Sequence, residues 1–192
     1  MAIRIFIDQG HNPSGWNTGA EGSGLREQDV TFLVGAYLAN LLDQDPRFEV
    51  RVSRGTPETM VGVSNSDSLT QRVNMANSWP ADYFLSLHCN AAVQPSANGT
   101  EVCVYARYTQ SYWLGEHILH AIVSRMGTRD RGMSLRPGLY VLRKTQMPSV
   151  LAELAFLSNA EDAALLREDP YGFAAAVYEG LLSYFDMAPL KE

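Results

Sequence analysis

The sequence predicts an α/β fold in which a mostly parallel or mixed sheet of about six strands carries helices on both faces. Short apolar segments alternate along the chain with longer segments whose apolar residues recur every three or four positions. The first pattern is typical of buried strands and the second of amphipathic helices. The sequence contains no linker, internal repeat or low-complexity segment, so we expect a single domain over residues 1–192.

Six segments are predicted to be strands, because each is short, largely apolar and bounded by polar or turn-forming residues. In chain order, they are residues 3–8, 48–53, 83–88, 99–106, 139–143 and 150–156. Residues 83–88 and 150–156 are almost continuously apolar, which predicts strands that are buried on both faces. The ligand site of such a sheet is expected beyond the carboxyl ends of its strands.

Five segments are predicted to be helices. The first begins at Glu27 and ends near Asp45. The second is capped by Asp67 or Ser68 and ends near Trp79. The third spans residues 109–126, the fourth begins in the motif Ser158-x-x-Glu161, and the fifth spans residues 173–185. The first has the clearest pattern, because apolar residues recur at i, i+3, i+4 and i+7 from Val30 to Leu42. The motif at Ser158 and Glu161 is typical of a capping box.

The composition excludes several classes of protein. The chain has 15 basic and 21 acidic residues, and its basic residues form no run longer than two, so we expect no nucleic-acid partner. No apolar segment approaches the roughly 20 residues of a transmembrane helix, and residues 1–4 lead directly into a strand rather than a signal peptide. The only two cysteines, Cys89 and Cys103, are predicted to be buried and reduced.

Glu153 is the least expected residue of the sequence, because it lies in the middle of the apolar strand at residues 150–156. A lone buried carboxylate costs free energy, so such a group is usually paired, protonated or bound to a metal. Two interpretations follow. Either Glu153 forms a salt bridge in the core with an arginine such as Arg72 or Arg143, or it has a catalytic or ligand-binding role.

Two histidines lie at the ends of predicted strands. His11 follows the strand at residues 3–8, and His88 ends the strand at residues 83–88. Each histidine alone would be interpreted as a structural residue, but the carboxyl ends of parallel strands meet at one edge of a sheet, where Glu153 is also expected. Glu27 is either an ordinary acidic residue of a first helical turn or a carboxylate on the inward helix face, directed toward the two histidines.

Two histidines and one glutamate are typical of a catalytic zinc site, in which the fourth position is open to water. The predicted cofactor is therefore one Zn²⁺ ion, held by His11, Glu27 and His88. Zinc lowers the pKa of water toward about 7 and polarises a carbonyl oxygen. A carboxylate that does not bind the metal can take the proton of the water and pass it to a leaving amine, and Glu153 fits this role by elimination and by position.

Other constellations in the sequence are weaker. His117 and His120 lie three residues apart on one predicted helix but lack the H-E-x-x-H order, so we interpret them as solvated or packed side chains. Cys89 is adjacent to His88 and is interpreted as a buried thiol rather than a nucleophile. The glycines of residues 10–24 have neither dinucleotide-binding nor P-loop spacing.

Four sequence blocks together resemble the zinc-dependent N-acetylmuramoyl-L-alanine amidases of autolysins, sporulation hydrolases and phage endolysins. The blocks are IFIDQGH with the glycine-rich loop after it, GLREQDVTFLVGAYLANLL, QRVNMANSWPADYFLSLHCNA and LYVLRKTQMPSVLAELAFLSNAED. The resemblance implies that His11, Glu27 and His88 bind zinc and that Glu153 is the catalytic glutamate. It also implies one catalytic domain with a mostly six-stranded sheet, which hydrolyses the amide between the lactyl group of N-acetylmuramic acid and L-alanine in peptidoglycan.

Two positions depart from the pattern of this family. Asn12-Pro13 follows His11 where the family usually has a glycine, and Ala155 occupies a position where glycine is common. Neither departure removes a predicted metal ligand or the predicted base, so both concern specificity more than activity.

The resemblance also sets expectations for the substrate and for the place of action. Asn90, Tyr140 and Arg143 are expected to line the substrate groove. The expected partner is peptidoglycan, the expected location is the cell wall in an extracellular or periplasmic space, and a wall-binding module or regulator is expected outside this chain. Two alternatives stay open, namely a zinc peptidase or deacetylase of the cell wall and an inactive peptidoglycan-binding regulator.

Overall fold

The computed structural model describes residues 2–190 and contains a six-stranded mixed sheet with helices on both faces, which confirms the predicted fold class. Residues 1, 191 and 192 of the predicted domain 1–192 lie outside this range. The strands are β1 Ile3–Gln9, β2 Glu21–Gly22, β3 Leu25–Arg26, β4 Phe48–Val52, β5 Tyr83–Asn90, β6 Thr100–Val104, β7 Asp130–Leu135 and β8 Ser149–Phe156. The helices are α1 Glu27–Asp43, α2 Asn65–Ser78, α3 Gln110–Met126, α4 Tyr140–Lys144, α5 Ala160–Glu168 and α6 Pro170–Tyr184.

The large sheet has the strand order β4-β1-β5-β8-β6-β7, and β2 and β3 form a separate hairpin. β1 pairs in parallel with β4 and β5, and β5 pairs in parallel with β8. β6 runs antiparallel to β8 and parallel to β7. The carboxyl ends of β1, β5 and β8 therefore lie at one edge of the sheet, together with the amino end of β6. We call this edge the carboxyl edge.

The two faces of the sheet are covered by different helices. In β1, Ile5 and Ile7 face the larger core, which α1, α3 and α6 complete. Phe6 faces the smaller core, which α2 and α4 complete, and it stacks on Phe84 of β5 with ring centroids 5.8 Å apart. This division follows from the alternation of side chains along a strand.

The same alternation decides where the polar side chains of the central strands lie. Leu151 of β8 belongs to the smaller core, as Phe6 and Phe84 do. His88 is four residues after Phe84, and Glu153 is two residues after Leu151. Both polar side chains therefore lie on the face of the smaller core, near the carboxyl edge.

One predicted strand is wrong, because residues 139–143 belong to a short helix, α4. Val141 and Leu142 are adjacent in the sequence, and both pack into the smaller core. Successive side chains of a strand point to opposite faces, whereas one helical turn can bury two neighbours together. A short apolar run does not distinguish these two structures by itself.

The sequence pattern does not predict strand β7. Its residues, DRGMSL, are mostly polar, and Gly132 has a φ of 82° next to an irregularity in the register with β6. β7 is an edge strand with a single partner, so it buries less apolar surface than a central strand. The hairpin of β2 and β3 is also absent from the predicted elements, because each of its strands has only two residues.

The predicted capping box of α5 is wrong by one residue. The N-cap is Asn159, whose side chain accepts hydrogen bonds from the backbone N–H groups of Glu161 and Asp162. The Ser158 hydroxyl instead accepts a hydrogen bond from the backbone of Ala92 at 3.0 Å, which ties two loops together.

Two other helices begin earlier than predicted. α2 begins at Asn65 after the N-cap Ser64, so the predicted caps Asp67 and Ser68 lie inside the helix; several neighbouring side chains here are of the capping type. α6 begins at Pro170 after the N-cap Asp169, before its apolar pattern starts at Phe173.

Two further observations concern predictions from composition. Cys89 and Cys103 are both buried free thiols, as predicted. Within residues 2–190, none of the helices combines the length and the apolar composition that a membrane crossing requires.

Candidate metal centre and active site

Three side chains from distant parts of the sequence meet at the carboxyl edge. His11 follows β1, Glu27 begins α1, and His88 lies near the end of β5. Oε1 of Glu27 lies 3.0 Å from Nε2 of His11 and 2.9 Å from Nδ1 of His88. One ligand atom from each residue lies within 4.8 Å of the other two. The three predicted metal ligands therefore form one cluster, which we call the His-Glu-His cluster.

Two glycines allow the side chains of this cluster to approach each other. A Cβ atom on Gly10 would lie 2.6 Å from Cε1 of His88. A Cβ atom on Gly19 would lie 2.6 Å from Cβ of Glu27 and 2.9 Å from Cδ2 of His11. Such contacts are too short for carbon atoms, so any other residue at either position would displace the cluster.

Arg72 of α2 holds the backbone that carries His11. Its side chain is 1% exposed and donates hydrogen bonds of 2.6 Å to the Asp8 carboxylate and to the backbone carbonyls of Gln9 and His11. Burial opposes the charge of Asp8, but the attraction of Arg72 keeps the pKa of Asp8 below its ordinary value. Arg72 is thus the ion-pair partner of Asp8, rather than of Glu153.

Asn12 gives a structural reason for the departure from glycine after His11. The Asn12 side chain donates hydrogen bonds of 3.0 Å to the carbonyls of Trp16 and Val61, and its Oδ1 atom accepts one from the Val61 N–H at 3.0 Å. Oδ1 also accepts a hydrogen bond from Arg72 at 3.1 Å. This buried amide connects the loop after His11 to a second loop and to α2.

The hydrogen bonds around the cluster fit a divalent metal ion. Nδ1 of His11 lies 3.2 Å from the carbonyl oxygen of Asn17, so a proton on Nδ1 leaves the lone pair of Nε2 directed at the cluster. Metal-binding histidines usually make such a bond with their second nitrogen. Glu27 accepts backbone hydrogen bonds from Ala20 at 2.9 Å and from Cys89 at 3.0 Å, which orient its two oxygens. Two imidazoles and one carboxylate are a donor set that suits Zn²⁺.

Electrostatics keep Glu27 ionised. Burial opposes its charge, but hydrogen bonds with His11 and His88 hold the pKa of Glu27 well below its usual range. Burial also opposes the charge of His88, yet the hydrogen bond with Glu27 outweighs it and raises the pKa of His88. The ionised Glu27 and the protonated form of His88 therefore stabilise each other, whereas a metal ion binds the unprotonated imidazole.

Glu153 lies beside His88, on the next strand of the sheet. The two residues are paired in the parallel register of β5 and β8. Oε2 of Glu153 is buried and has no hydrogen-bond partner among residues 2–190. Burial raises the pKa of Glu153 to about 7. A carboxyl group with a pKa near neutrality can both accept and donate a proton at pH 7, as a general base and acid must.

The alternative interpretation of Glu153 as half of a core salt bridge is wrong. Arg72 pairs with Asp8 at 2.6 Å. Arg143 is exposed and lines a cavity that contains no residue of the His-Glu-His cluster. In the part of the chain that the structure describes, the Glu153 carboxylate has no salt bridge within 4.0 Å.

Sequence reasoning misses two charged residues near Glu153. Glu101 of β6 is paired with Glu153 in the antiparallel register of β6 and β8. The Arg136 guanidinium lies 4.0 Å from the Glu101 carboxylate. The polar-apolar alternation of residues 99–106 places Glu101 on one face of a strand, but it contains no signal for the neighbouring strand or for its direction.

The structure separates the three residues that were predicted to line the substrate groove. Tyr140 lines a cavity of about 140 Å³ together with His11 and His88. Asn90 lies at the end of β5, where its carbonyl accepts a hydrogen bond of 2.8 Å from the Leu157 N–H. Arg143 lines a different cavity, of about 360 Å³, between α4 and the start of α3. Of the three, Tyr140 is the one that shares a cavity with the cluster.

The histidine pair of α3 lies apart from the cluster. His117 and His120 line an open cavity of about 660 Å³ between α3 and α6. Nδ1 of His117 is hydrogen-bonded to the Ser183 hydroxyl at 2.9 Å. This contact agrees with the interpretation of His117 as a packed or solvated side chain.

Comparisons with known proteins agree with this fold and identify the family of the chain. The family described as N-acetylmuramoyl-L-alanine amidase matches residues 5–183. The N-acetylmuramoyl-L-alanine amidase LytC of Bacillus subtilis is 37% identical over 187 residues, which cover 94% of this chain and 35% of LytC. The N-acetylmuramoyl-L-alanine amidase CwlM of Bacillus licheniformis is 36% identical over 190 residues, which cover 97% of this chain and 70% of CwlM.

A solved structure extends the likeness to three dimensions. The crystal structure of an N-acetylmuramoyl-L-alanine amidase from Clostridium difficile 630 superposes with a TM-score of 0.86 at 30% identity, over 98% of this chain and 99% of that chain. The present chain spans about a third of LytC and about two thirds of CwlM. Because the family match covers nearly all of the described residues, and the fold agrees with that of a solved amidase, the chain belongs to the N-acetylmuramoyl-L-alanine amidase family.

Proposed function

We propose that this protein hydrolyses the amide bond between the lactyl group of N-acetylmuramic acid and the L-alanine of the peptidoglycan stem peptide. One observation carries the proposal. The His-Glu-His cluster, whose ligand atoms lie within 4.8 Å of one another, is adjacent in the sheet register to Glu153, whose buried Oε2 atom has no hydrogen-bond partner among residues 2–190. Metal-assisted amide hydrolysis requires at least a set of metal ligands and, beside it, an acid-base group that can carry a proton.

In this proposal, His11, Glu27 and His88 hold one Zn²⁺ ion. When bound, zinc supplies Lewis acidity, which lowers the pKa of water toward about 7 and polarises a carbonyl oxygen. The chain prepares the three ligands in advance, because the Asn17 carbonyl orients His11 and backbone N–H groups orient Glu27. Ligands that are already in place lose little conformational entropy on binding the ion.

Glu153 is the proposed general base and acid. Its Oε2 atom takes a proton from the attacking water and then gives it to the leaving nitrogen of L-alanine, so that no net proton remains on the protein. A pKa of about 7 supports both steps, since neither form of the carboxyl group is strongly favoured at neutral pH. The carboxyl group needs no rearrangement to act, because Oε2 makes no hydrogen bond within the described chain.

The substrate assignment and the location rest on the family. The relatives LytC and CwlM are named N-acetylmuramoyl-L-alanine amidases, and another relative is named the endolysin of Bacillus phage SPP1. Peptidoglycan is a component of the cell wall, so the proposed place of action is the wall, outside the cytoplasm.

Product analysis tests the proposed reaction. Purified peptidoglycan is digested with the protein, with and without a chelator, and after zinc is added back, and the products are identified by mass spectrometry. We expect stem peptides with a free L-alanine amino group and glycan with free lactyl carboxyl groups, both lost with the chelator and restored by zinc. Cut peptide cross-links or released acetate would instead identify a peptidase or a deacetylase.

Two variants test the role of Glu153. Glu153→Gln is expected to bind zinc stoichiometrically. Its rate of hydrolysis should fall by at least about a hundredfold, which is the usual contribution of a general acid-base group. Glu161→Gln makes the same change at an exposed position of α5 and is expected to keep full activity. Activity of Glu153→Gln at the level of the unmodified protein would refute the assigned role.

A further inference from the structure

A row of charged residues crosses the sheet from the His-Glu-His cluster to the edge strand. His88 of β5 is paired in register with Glu153 of β8, and Glu153 is paired with Glu101 of β6. The Glu101 side chain is 16% exposed, so its charge requires a partner. That partner is Arg136, at 4.0 Å. The row therefore ends in a cation beside Glu101, which is the neighbour of Glu153 on the adjacent strand.

The backbone holds Arg136 at the end of this row. Arg136 follows β7, and its N–H donates a hydrogen bond of 2.8 Å to the carbonyl of Val104 on β6. From there its side chain extends back along β6 toward Glu101, and its charge lies close enough to lower the pKa of Glu153, whose largest perturbation is burial. The Arg136 side chain is 55% exposed, and its contacts with Glu101 and Cys103 leave some of its five N–H donors free.

The proposed chemistry decides which part of the substrate approaches Arg136. Glu153 gives its proton to the leaving nitrogen, so the leaving peptide begins beside Glu153. Neighbouring strands lie about 4.8 Å apart, which puts β6 one such step farther from the cluster. Two extended residues span about 7 Å, so a carboxylate on the second residue of the peptide reaches the level of Arg136.

The distribution of charge favours an anionic peptide at this position. The chain has a formal net charge of −6, yet residues 107–144 contain seven of its 15 basic residues and only two of its 21 acidic residues. This segment includes Arg136. Arg136 carries a positive charge beside Glu101 on a protein that is acidic overall, and such a charge attracts an anionic group.

We propose that Arg136, positioned by Glu101, binds the free α-carboxylate of the second residue of the stem peptide, so that stems with this carboxylate are preferred over stems in which it is amidated. The inference rests on the proposed amidase function and names the substrate class for that site. An arginine suits this task because its planar guanidinium forms two parallel hydrogen bonds with a carboxylate, which a primary amide cannot match.

Two small substrates test the preference. They are N-acetylmuramoyl-L-alanyl-D-glutamate and its amidated form, N-acetylmuramoyl-L-alanyl-D-isoglutamine. We expect kcat/KM of the unmodified protein to be roughly tenfold to a hundredfold higher for the acid, mostly through KM, which is the usual effect of one hydrogen-bonded charge pair. Arg136→Gln is expected to abolish this ratio, because kcat/KM falls much more for the acid than for the amidated substrate.

Three further variants sharpen the test. Arg136→Lys retains the charge without the paired donors and is expected to restore part of the ratio. Glu101→Gln is expected to reduce the ratio, because it removes the group that orients Arg136, while turnover of the amidated substrate persists. Arg125→Gln removes an equal charge from α3, on the other face of the sheet, and is expected to leave the ratio unchanged.

A binding measurement separates this inference from the proposed reaction. By calorimetry, Glu153→Gln should bind L-alanyl-D-glutamate at least about tenfold more tightly than L-alanyl-D-isoglutamine, and the double variant with Arg136→Gln should bind both equally. The role of Arg136 would be refuted if Glu153→Gln bound the two dipeptides equally, or if the double variant still preferred L-alanyl-D-glutamate. If the unmodified protein releases no stem peptides from purified peptidoglycan, the proposed function fails, and the binding comparison still decides the role of Arg136.

Discussion

Glu153 has two properties that protein stability alone does not favour. It is a carboxyl group in an apolar strand, and its Oε2 atom has no hydrogen-bond partner in the described part of the chain. Burial raises its pKa to about 7. Both properties are useful for a group that must carry a proton and must be free to meet a substrate. We therefore expect a conflict between stability and activity at this residue.

The first prediction is that Glu153→Gln stabilises the metal-free protein at high pH. The folded pKa of about 7 lies above the ordinary value of 4.5, so the stabilising effect of the protonated carboxyl is complete below pH 4.5 and is lost as the pH rises to 7. A shift of this size corresponds to about 3 kcal/mol in the free energy of unfolding above pH 7. Urea unfolding with a chelator, at pH 5 and pH 8, measures the difference.

The pH dependence itself is the control in this experiment. The increase in the free energy of unfolding that Glu153→Gln causes should be small at pH 5 and nearly complete at pH 8. Glu161→Gln, at an exposed position, should show no such dependence. Parallel stability curves for Glu153→Gln and the unmodified protein would show that the Glu153 carboxyl is not perturbed by burial.

Arg72 is the second residue whose environment permits a prediction. Arg72→Met leaves Asp8 buried without its ion-pair partner and removes the hydrogen bond to the His11 carbonyl. We expect a loss of about 3–5 kcal/mol in the free energy of unfolding, the usual cost of breaking a buried pair from one side. Denaturant unfolding measures this loss. Arg107→Met, at an exposed position, should change stability by less than about 0.5 kcal/mol, and an equal loss there would contradict the argument.

At the scale of elements, the loop between β1 and α1 is the part most closely adapted to the site. It contains the hairpin of β2 and β3, and it supplies Gly19, which packs against both Glu27 and His11. A glycine here provides space for a close approach of side chains and need not provide flexibility. The loop is thus part of the packing around the His-Glu-His cluster.

Gly19→Ala is expected to weaken zinc binding with little loss of stability. The new Cβ atom would lie 2.6 Å from Cβ of Glu27 and 2.9 Å from Cδ2 of His11, so both proposed ligands would move. We expect a decrease in zinc affinity of about tenfold to a hundredfold, measured by competition with a chelator. Gly55→Ala is the matched control, because its Cβ atom would meet nothing within 4 Å. Equal zinc affinity of the two variants would refute the packing role of Gly19.

The elements α4 and β7 contribute residues to the site although the sequence pattern of each is weak. α4 supplies Tyr140 to the cavity beside the cluster, and the chain after β7 supplies Arg136 to the row beside Glu153. α4 has five residues and β7 is polar, so neither has a long apolar repeat. Their conformations are decided by packing against the sheet that forms around them.

At the scale of the whole molecule, the sheet order collects residues from most of the chain. His11, Glu27, His88 and Glu153 are separated by as many as 142 positions, yet they lie together because β1, β5 and β8 are neighbours and run in the same direction. A site of this kind exists only when the sheet has formed. Binding at the site and folding of the domain are therefore linked.

This linkage predicts that zinc stabilises the folded protein. At a free zinc concentration 100 times the dissociation constant, the free energy of unfolding should rise by about 3 kcal/mol, which raises Tm by roughly 5–10 °C for a chain of this size. Thermal unfolding with and without zinc measures the shift. His88→Ala should abolish it, whereas His120→Ala, at an exposed position of α3, should retain it. A shift that persists in His88→Ala would place zinc elsewhere.

Much of the candidate site could be predicted from the sequence, because local patterns mark strand ends. Apolar runs that stop at His11 and His88 indicate where a parallel sheet exposes its carboxyl ends, and an acid inside the run at Glu153 indicates a special environment. The inward position of Glu27 follows from the helical period of α1. These inferences need only neighbours in the sequence.

The partners of the charged residues could not be predicted in this way. The pairing of Arg72 with Asp8, and of Glu101 with both Glu153 and Arg136, depends on which strands are adjacent and on the antiparallel direction of β6. No local pattern encodes either property, because hydrogen bonds between strands join residues that are far apart in the sequence.

The sequence by itself determined the fold class, the donor set of the candidate metal centre and the edge of the sheet where that centre lies, since each depends on the periodicity or chemistry of short segments. Only the tertiary structure decided how Glu153 is surrounded, which residues support the loop of His11, and that Arg136 lies beside Glu101, the neighbour of Glu153 in the sheet. The physical reason is that burial, pKa and ion pairing are set by contacts across the sheet, and these contacts exist only after the strands have assembled in one order.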